Sequence, residues 1–155
     1  MIPPENPQDK EIKIRQMLNF INKEVVTYHE TGKELWLQQA SEKAWTAYIL
    51  LLELLNKREL NTHRAVANNS WNLINSGIIQ RELYRKANGL HVYHYEGRTD
   101  IEFILEDIRF VVNDIRSVLN ATTTLKSIRV DESKKIISKT GKVFSRNAHL
   151  RGKGR

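Results

Sequence analysis

Five polar and aromatic residues between positions 81 and 95 recur at the three-to-four spacing that places side chains on one side of a helix. They are Arg81, Tyr84, Asn88, His91 and Tyr95. Rings, an amide and a guanidinium on one stripe can stack on an unpaired nucleic-acid base and hydrogen-bond to its edges. Tyr84, His91 and Tyr95 are more often core or dimer-interface residues with satisfied polar tips, and we favour that interpretation. The spacing leaves both interpretations open.

A second set of side chains that could bind a ligand lies at the C-terminal end of the chain. Residues 122–155 contain ten Lys or Arg against Asp131 and Glu132, a net charge of +8, whereas residues 1–121 contain 15 basic and 16 acidic residues, a net charge of −1. A basic extension on a mildly acidic body is typical of a chain that binds a polyanion, most often nucleic acid. The predicted RNA-contacting residues are Lys126, Arg129, Lys134, Lys135, Lys139, Lys142, Arg146, Arg151, Lys153 and Arg155.

The composition of this basic tail favours RNA backbone as its target. Its charges are spread among Gly, Ser and Asn, and Phe144 is its one aromatic residue. Such a segment is expected to recognise the phosphates and the shape of the RNA rather than its base sequence. From residue 145 onward it is expected to be disordered in the absence of a partner. A solubilising or nonspecific segment is the alternative.

Several other kinds of chemistry lack the residues that they need. The chain has no Cys, and His29, His63 and His149 stand without the partner spacing of a metal site, so we predict no metal and no cofactor. No phosphate-binding glycine loop or nucleophile elbow is present. Residues 1–11 have neither the charge nor the apolar stretch of a secretion signal, and Glu53 interrupts the longest near-apolar run, so we expect a cytoplasmic protein without membrane association.

Apolar periodicity and capping signals predict the elements that position these residues. A first helix over about 8–29 is followed by a capping box, Thr31 to Glu34, and by a second helix whose Ala40, Ala44 and Ala47 allow close packing, which makes it the expected central helix. Thr62 can cap a third helix that ends near Gly77. A fourth reaches about Tyr95, and a fifth follows a second capping box, Thr99 to Glu102. The prediction is an all-α, five-helix antiparallel bundle.

The pattern changes after this fifth helix. Residues 127–130 and 135–138 favour strands, with a turn at 139–142, so a small β-hairpin over 127–144 is predicted within the tail. The expected organisation is a leader at 1–11, a helical domain at 12–121 and a basic RNA-binding tail at 122–155.

Two stretches of the body resemble a known family. Ala40-Ser41-Glu42-Lys43-Ala44-Trp45 and the stretch from Ala87 to Glu96, ANGLHVYHYE, are similar to segments of an archaeal paralogous family within the HEPN superfamily, and the resemblance covers about residues 12–120. It implies a helical bundle, often dimeric. It also implies a metal-independent ribonuclease motif, in which an Arg is followed after four to six residues by a His.

Arg85 and His91 match that motif, with five residues between them. His91 would shuttle the proton and Arg85 would stabilise charge on the transferring phosphate. Six residues advance a regular helix by about 600°, which leaves the two side chains about 120° apart. Either Gly89 disturbs the helix, or the pair meets across a dimer. A second match, from Arg58 to His63, lies at a helix joint and is set aside.

Lys86 occupies the place where active members of the family usually carry a small polar residue, so RNA binding ranks above cleavage. We therefore predict an RNA-binding structural protein of a ribonucleoprotein assembly, such as one associated with the ribosome, whose body docks on a protein partner or forms a homodimer. A toxin-like ribonuclease using Arg85 and His91 is the alternative. A protein adaptor whose tail binds an acidic partner or an anionic membrane surface is a third class.

Overall fold

The computed structural model describes residues 6–96 and 100–132, with side chains defined for 6–96 and 100–122. Within this part, the chain forms five α-helices and no strand. The helices are α1 (Pro7–Thr31), α2 (Glu34–Asn56), α3 (His63–Asn75), α4 (Arg81–Glu96) and α5 (Ile101–Glu132). The predicted all-α fold with five helices is confirmed.

Contacts between helices show that neighbours run antiparallel. The Lys10 ammonium, near the start of α1, is 3.4 Å from the Glu53 carboxylate near the end of α2. The Glu24 carboxylate, in the second half of α1, is 2.7 Å from the Lys43 ammonium in the first half of α2. In the same way, the C-terminal end of α4 contacts the N-terminal end of α2, where the Tyr93 hydroxyl donates to the Glu34 carboxylate at 2.8 Å. The core is therefore an up-and-down arrangement of α1, α2, α4 and α5, with the shorter α3 packed beside it.

Helix α2 is central, as predicted. It contacts each of the other four helices, and its apolar residues are buried along most of its length. Ala40, Ala44 and Ala47 are fully buried. Because these side chains are small, the neighbouring backbones can approach closely, and the larger Leu51 and Leu52 fill the space farther along the helix.

The first helix begins within one residue of its predicted start, and the first predicted capping box is wrong. The Asn6 side chain caps α1 by accepting from the Gln8 amide, with Pro7 at the first helical position, so residues 7–11 belong to α1 and not to a leader. At the other end, Gly32 has a left-handed conformation with φ 70° and caps α1. Its backbone N–H donates to the Tyr28 carbonyl. Thr31 is therefore the last residue of α1, and α2 starts without a side-chain cap.

Helices α3 and α5 both start at a side chain that caps them. The Thr62 hydroxyl accepts from the Ala65 amide at 3.0 Å and starts α3, which confirms that prediction. The Asp100 carboxylate accepts from the Glu102 amide at the start of α5, while Thr99 lies outside the described residues. Both caps satisfy amides that a helix start leaves without partners.

Helix α5 continues past the predicted end of the helical domain at residue 121 and reaches Glu132. Residues 127–130 are helical, so the first strand of the predicted hairpin is wrong, and the rest of that hairpin lies outside the described residues. Extending an existing helix adds one hydrogen bond for each residue that is fixed, and this outweighs the weak strand preference of a few β-branched residues. No helix in the described ranges combines the length and apolarity needed to cross a bilayer.

Candidate nucleic-acid interface

Two buried aromatic residues of α2 lie beneath the predicted site. Trp45 and Tyr48 are buried and stack with ring centroids 5.8 Å apart. The Tyr48 hydroxyl is 2.7 Å from the Ser70 hydroxyl of α3, so its polar tip is satisfied inside the core. Burial raises the pKa of Tyr48, and the hydrogen bond with Ser70 lowers it in part. This layer is therefore neutral and fixes α2, α3 and α4 relative to one another.

His91 of α4 lies over Trp45, with ring centroids 4.9 Å apart. Its Nδ1 is 2.9 Å from the Glu42 carboxylate of α2, and because an ionised carboxylate can only accept, the imidazole donates from Nδ1. The ring of His63, at the start of α3, is 5.3 Å from that of His91. A carboxylate, an indole and a second imidazole therefore surround His91.

Tyr84 does not offer its ring to the solvent as the predicted stacking face requires. It stacks on Tyr48 at 6.0 Å and meets the edge of Trp71 of α3 at 6.1 Å, and it is half-buried. Trp71 is instead the exposed ring, with 42% of its surface accessible. The guanidinium of Arg81 lies over the Trp71 ring, 5.5 Å from its centroid. The two residues form an exposed cation–π pair where α3 and α4 meet.

The remaining residues of the predicted stacking face are exposed. Asn88 is exposed, and Tyr95 is 72% exposed with its ring edge against His91 at 5.0 Å. The five residues on the α4 stripe therefore divide into three groups. Arg81, Asn88 and Tyr95 are accessible, His91 is held by Glu42 and Trp45, and Tyr84 is used in packing.

Arg85 and His91 lie on different sides of α4. The helix is regular through Gly89, so the expected angle of about 120° between them applies. The Arg85 side chain is 70% exposed and pairs with Glu82 on its own helix at 3.4 Å. His91, in contrast, has 14% of its side chain exposed and faces α2. Of the two arrangements that the sequence allowed, a disturbed helix is not observed.

Most predicted RNA-contacting residues lie outside the part of the chain that the structure describes. Lys126 and Arg129 fall on the last turns of α5, and Lys134, Lys135, Lys139, Lys142, Arg146, Arg151, Lys153 and Arg155 lie beyond its end. In residues 6–96 and 100–132, no group of three or more His, Asp or Glu is placed to hold a metal ion.

Sequence reasoning missed three residues of this site: Glu42, His63 and Trp71. Trp71 could have been found, because it is five residues from Val66, about 140° away from the buried stripe of α3. Glu42 and His63 carry no local signal, since only the packing of α2, α3 and α4 brings them to His91.

Comparisons with protein-family models, with curated proteins and with solved structures found no match.

Proposed function

We propose that this protein binds RNA as a structural component of a cytoplasmic ribonucleoprotein assembly, with its basic tail on RNA phosphates and its helical body as a docking unit. The observation that carries the proposal is the charge segregation, +8 over residues 122–155 against −1 over residues 1–121. A cationic segment of this kind gains affinity by releasing counterions from a phosphate backbone. The RNA partner is ribosomal RNA or another structured RNA.

The direction of α5 supports this arrangement. Arg15 of α1 donates to Asn120 of α5 at 3.1 Å, and α5 continues for twelve residues beyond that contact to Glu132. At 1.5 Å per residue, this is about 18 Å of helix. Lys126 and Arg129, two of the predicted RNA-contacting residues, lie on this helical extension.

The body supplies surfaces for a protein partner or for a second copy of the chain. Ile12, Phe20 and Val26 of α1 are each 54% exposed, so they are available to a partner. The resemblance to HEPN proteins, which are often dimeric, agrees with docking through the body.

Sedimentation of the native protein from the cells that produce it tests this proposal. We expect the protein to sediment with a large particle and to move to the position of a free protein of 18.1 kDa, or of its dimer, after ribonuclease treatment. A position that ribonuclease leaves unchanged would contradict the proposal. A control extract treated with deoxyribonuclease shows that the shift requires RNA.

RNA cleavage is the second candidate, and the contact between Glu42 and His91 is the observation that favours it. A carboxylate at 2.9 Å holds the imidazole in one tautomer and supports the proton transfer that attack by a ribose 2′-hydroxyl needs. Arg85, the predicted stabiliser of the phosphate charge, faces away from His91 and would have to come from a second copy of the chain.

The cleavage candidate predicts that His91→Ala lowers the rate of cleavage of an unstructured RNA without added metal by about 100-fold or more, because general acid–base catalysis contributes at least that much. The measurement compares the variant with the wild-type protein and with Val92→Ala, an exposed neighbour on α4. Equal rates for wild type and His91→Ala would contradict the hypothesis that this protein cleaves RNA.

A further inference from the structure

We infer that the outer surface of α3 and α4 is a second RNA-binding site, in which Trp71 and Arg81 hold an unpaired base. The inference rests on the proposed RNA-binding function. It adds that the helical body binds unpaired bases of the RNA. Its basis is an exposed aromatic ring with a cation above it, in the most basic region of the body.

Charge within the body is unevenly distributed. Residues 57–96, which contain α3 and α4, carry six basic and three acidic residues, a net charge of +3. The rest of residues 1–121 therefore carries −4. The body is nearly neutral only as an average, and its excess of basic residues lies in the part of the chain that contains α3 and α4.

The exposed residues of this surface are of the kinds that bind single-stranded RNA. Arg64, Asn68 and Trp71 recur at the spacing of one side of α3, and all three are exposed. Arg81 and Asn88 are exposed on α4. Guanidinium groups bind phosphates, amides can hydrogen-bond to base edges, and an indole ring can stack on any base.

The Trp71 ring contacts Tyr84 and Arg81 and keeps 42% of its surface accessible. Tyr84 meets it at an interplanar angle of 84°, and Tyr84 itself is stacked on buried Tyr48. Arg81 has no carboxylate partner among the residues that the structure describes. Its planar guanidinium can therefore remain over the ring or move to cover a base that stacks there.

A pair on α1 provides a matched control. Phe20 is 54% exposed, and the Lys23 ammonium lies 5.7 Å from its ring centroid. This pair has the same type of contact as Trp71 with Arg81, but α1 lies outside the basic region. Phe20→Ala removes a comparable exposed ring without touching the proposed site.

The test measures the affinity of the full chain for two RNAs of equal length, one unstructured and one fully base-paired. Trp71→Ala is expected to weaken binding of the unstructured RNA by about 5- to 100-fold and to change binding of the duplex by less than about 2-fold, because only unpaired bases can stack on the ring. Arg81→Gln, which keeps the helix and removes the cation, is expected to cost about 2- to 5-fold. Phe20→Ala should leave both affinities unchanged.

Unchanged affinity for unstructured RNA in both Trp71→Ala and Arg81→Gln would overturn the inference, and so would an equal loss in Phe20→Ala. A full-length variant with a neutralised tail separates this inference from the proposed function. If that variant loses affinity for both RNAs while Trp71→Ala loses none, the tail binds RNA and the inference is wrong. If that variant binds as wild type does and Trp71→Ala is weakened, the proposed role of the tail is wrong and the inference stands.

Discussion

Replacing the eight basic residues beyond α5 with Gln is expected to reduce the affinity for unstructured RNA by at least about 100-fold at 50 mM salt. The replaced residues are Lys134, Lys135, Lys139, Lys142, Arg146, Arg151, Lys153 and Arg155. If about six charges contact single-stranded RNA, they account for most of the binding free energy at low salt, because each contact releases a condensed counterion. The measurement is a binding titration with the full-length variant.

The same variant should also lose most of its dependence on salt. A variant with unaltered affinity would show that the tail does not contact RNA. A control replaces exposed basic residues of the body outside 57–96, Lys23 and Lys33, with Gln, and it should keep the wild-type affinity to within a few fold.

Tyr48→Ala is expected to lower the free energy of unfolding by about 3 to 5 kcal/mol. Tyr48 is fully buried, stacks on both Trp45 and Tyr84, and satisfies the Ser70 hydroxyl. Its removal leaves a cavity between α2, α3 and α4 and a buried hydroxyl without its partner. Urea denaturation followed by circular dichroism measures the change.

Tyr95→Ala provides the comparison, because Tyr95 is 72% exposed and its ring contacts His91. It should change the free energy of unfolding by no more than about 0.5 kcal/mol. A loss below about 1 kcal/mol in Tyr48→Ala would contradict the account of Trp45 and Tyr48 as the layer that fixes the site.

Most of the fold could be predicted from the sequence, because apolar spacing in amphipathic helices is a strong local signal. All five helices, the central position of α2 and the cap at Thr62 follow from such spacing and from capping residues. The error at Thr31 has a physical cause. Gly32 adopts a left-handed conformation and caps α1, which makes Thr31 the last residue of α1. Asn6 and Pro7 are a helix-start signal that excludes residues 7–11 from the predicted leader.

The site was less predictable, because it depends on contacts between helices. Spacing placed Tyr84 and Tyr95 on one stripe but could not show that Tyr84 turns onto Tyr48 while Tyr95 stays exposed. Nor could it show that Glu42 would hold His91, or that His63 would lie beside it, since these residues are far apart in sequence. Trp71 is the exception, because its angle to the buried stripe of α3 can be calculated from the sequence alone.

The central claim is that phosphate contacts by the basic tail hold this protein on RNA, and the salt dependence of binding tests it most directly. The dissociation constant of the wild-type protein for an unstructured RNA is measured at 50 and at 200 mM salt. With about six phosphate contacts, we expect the affinity to fall roughly 10²- to 10³-fold between these concentrations. No detectable binding at 50 mM salt, or an affinity that is the same at both concentrations, would contradict the claim.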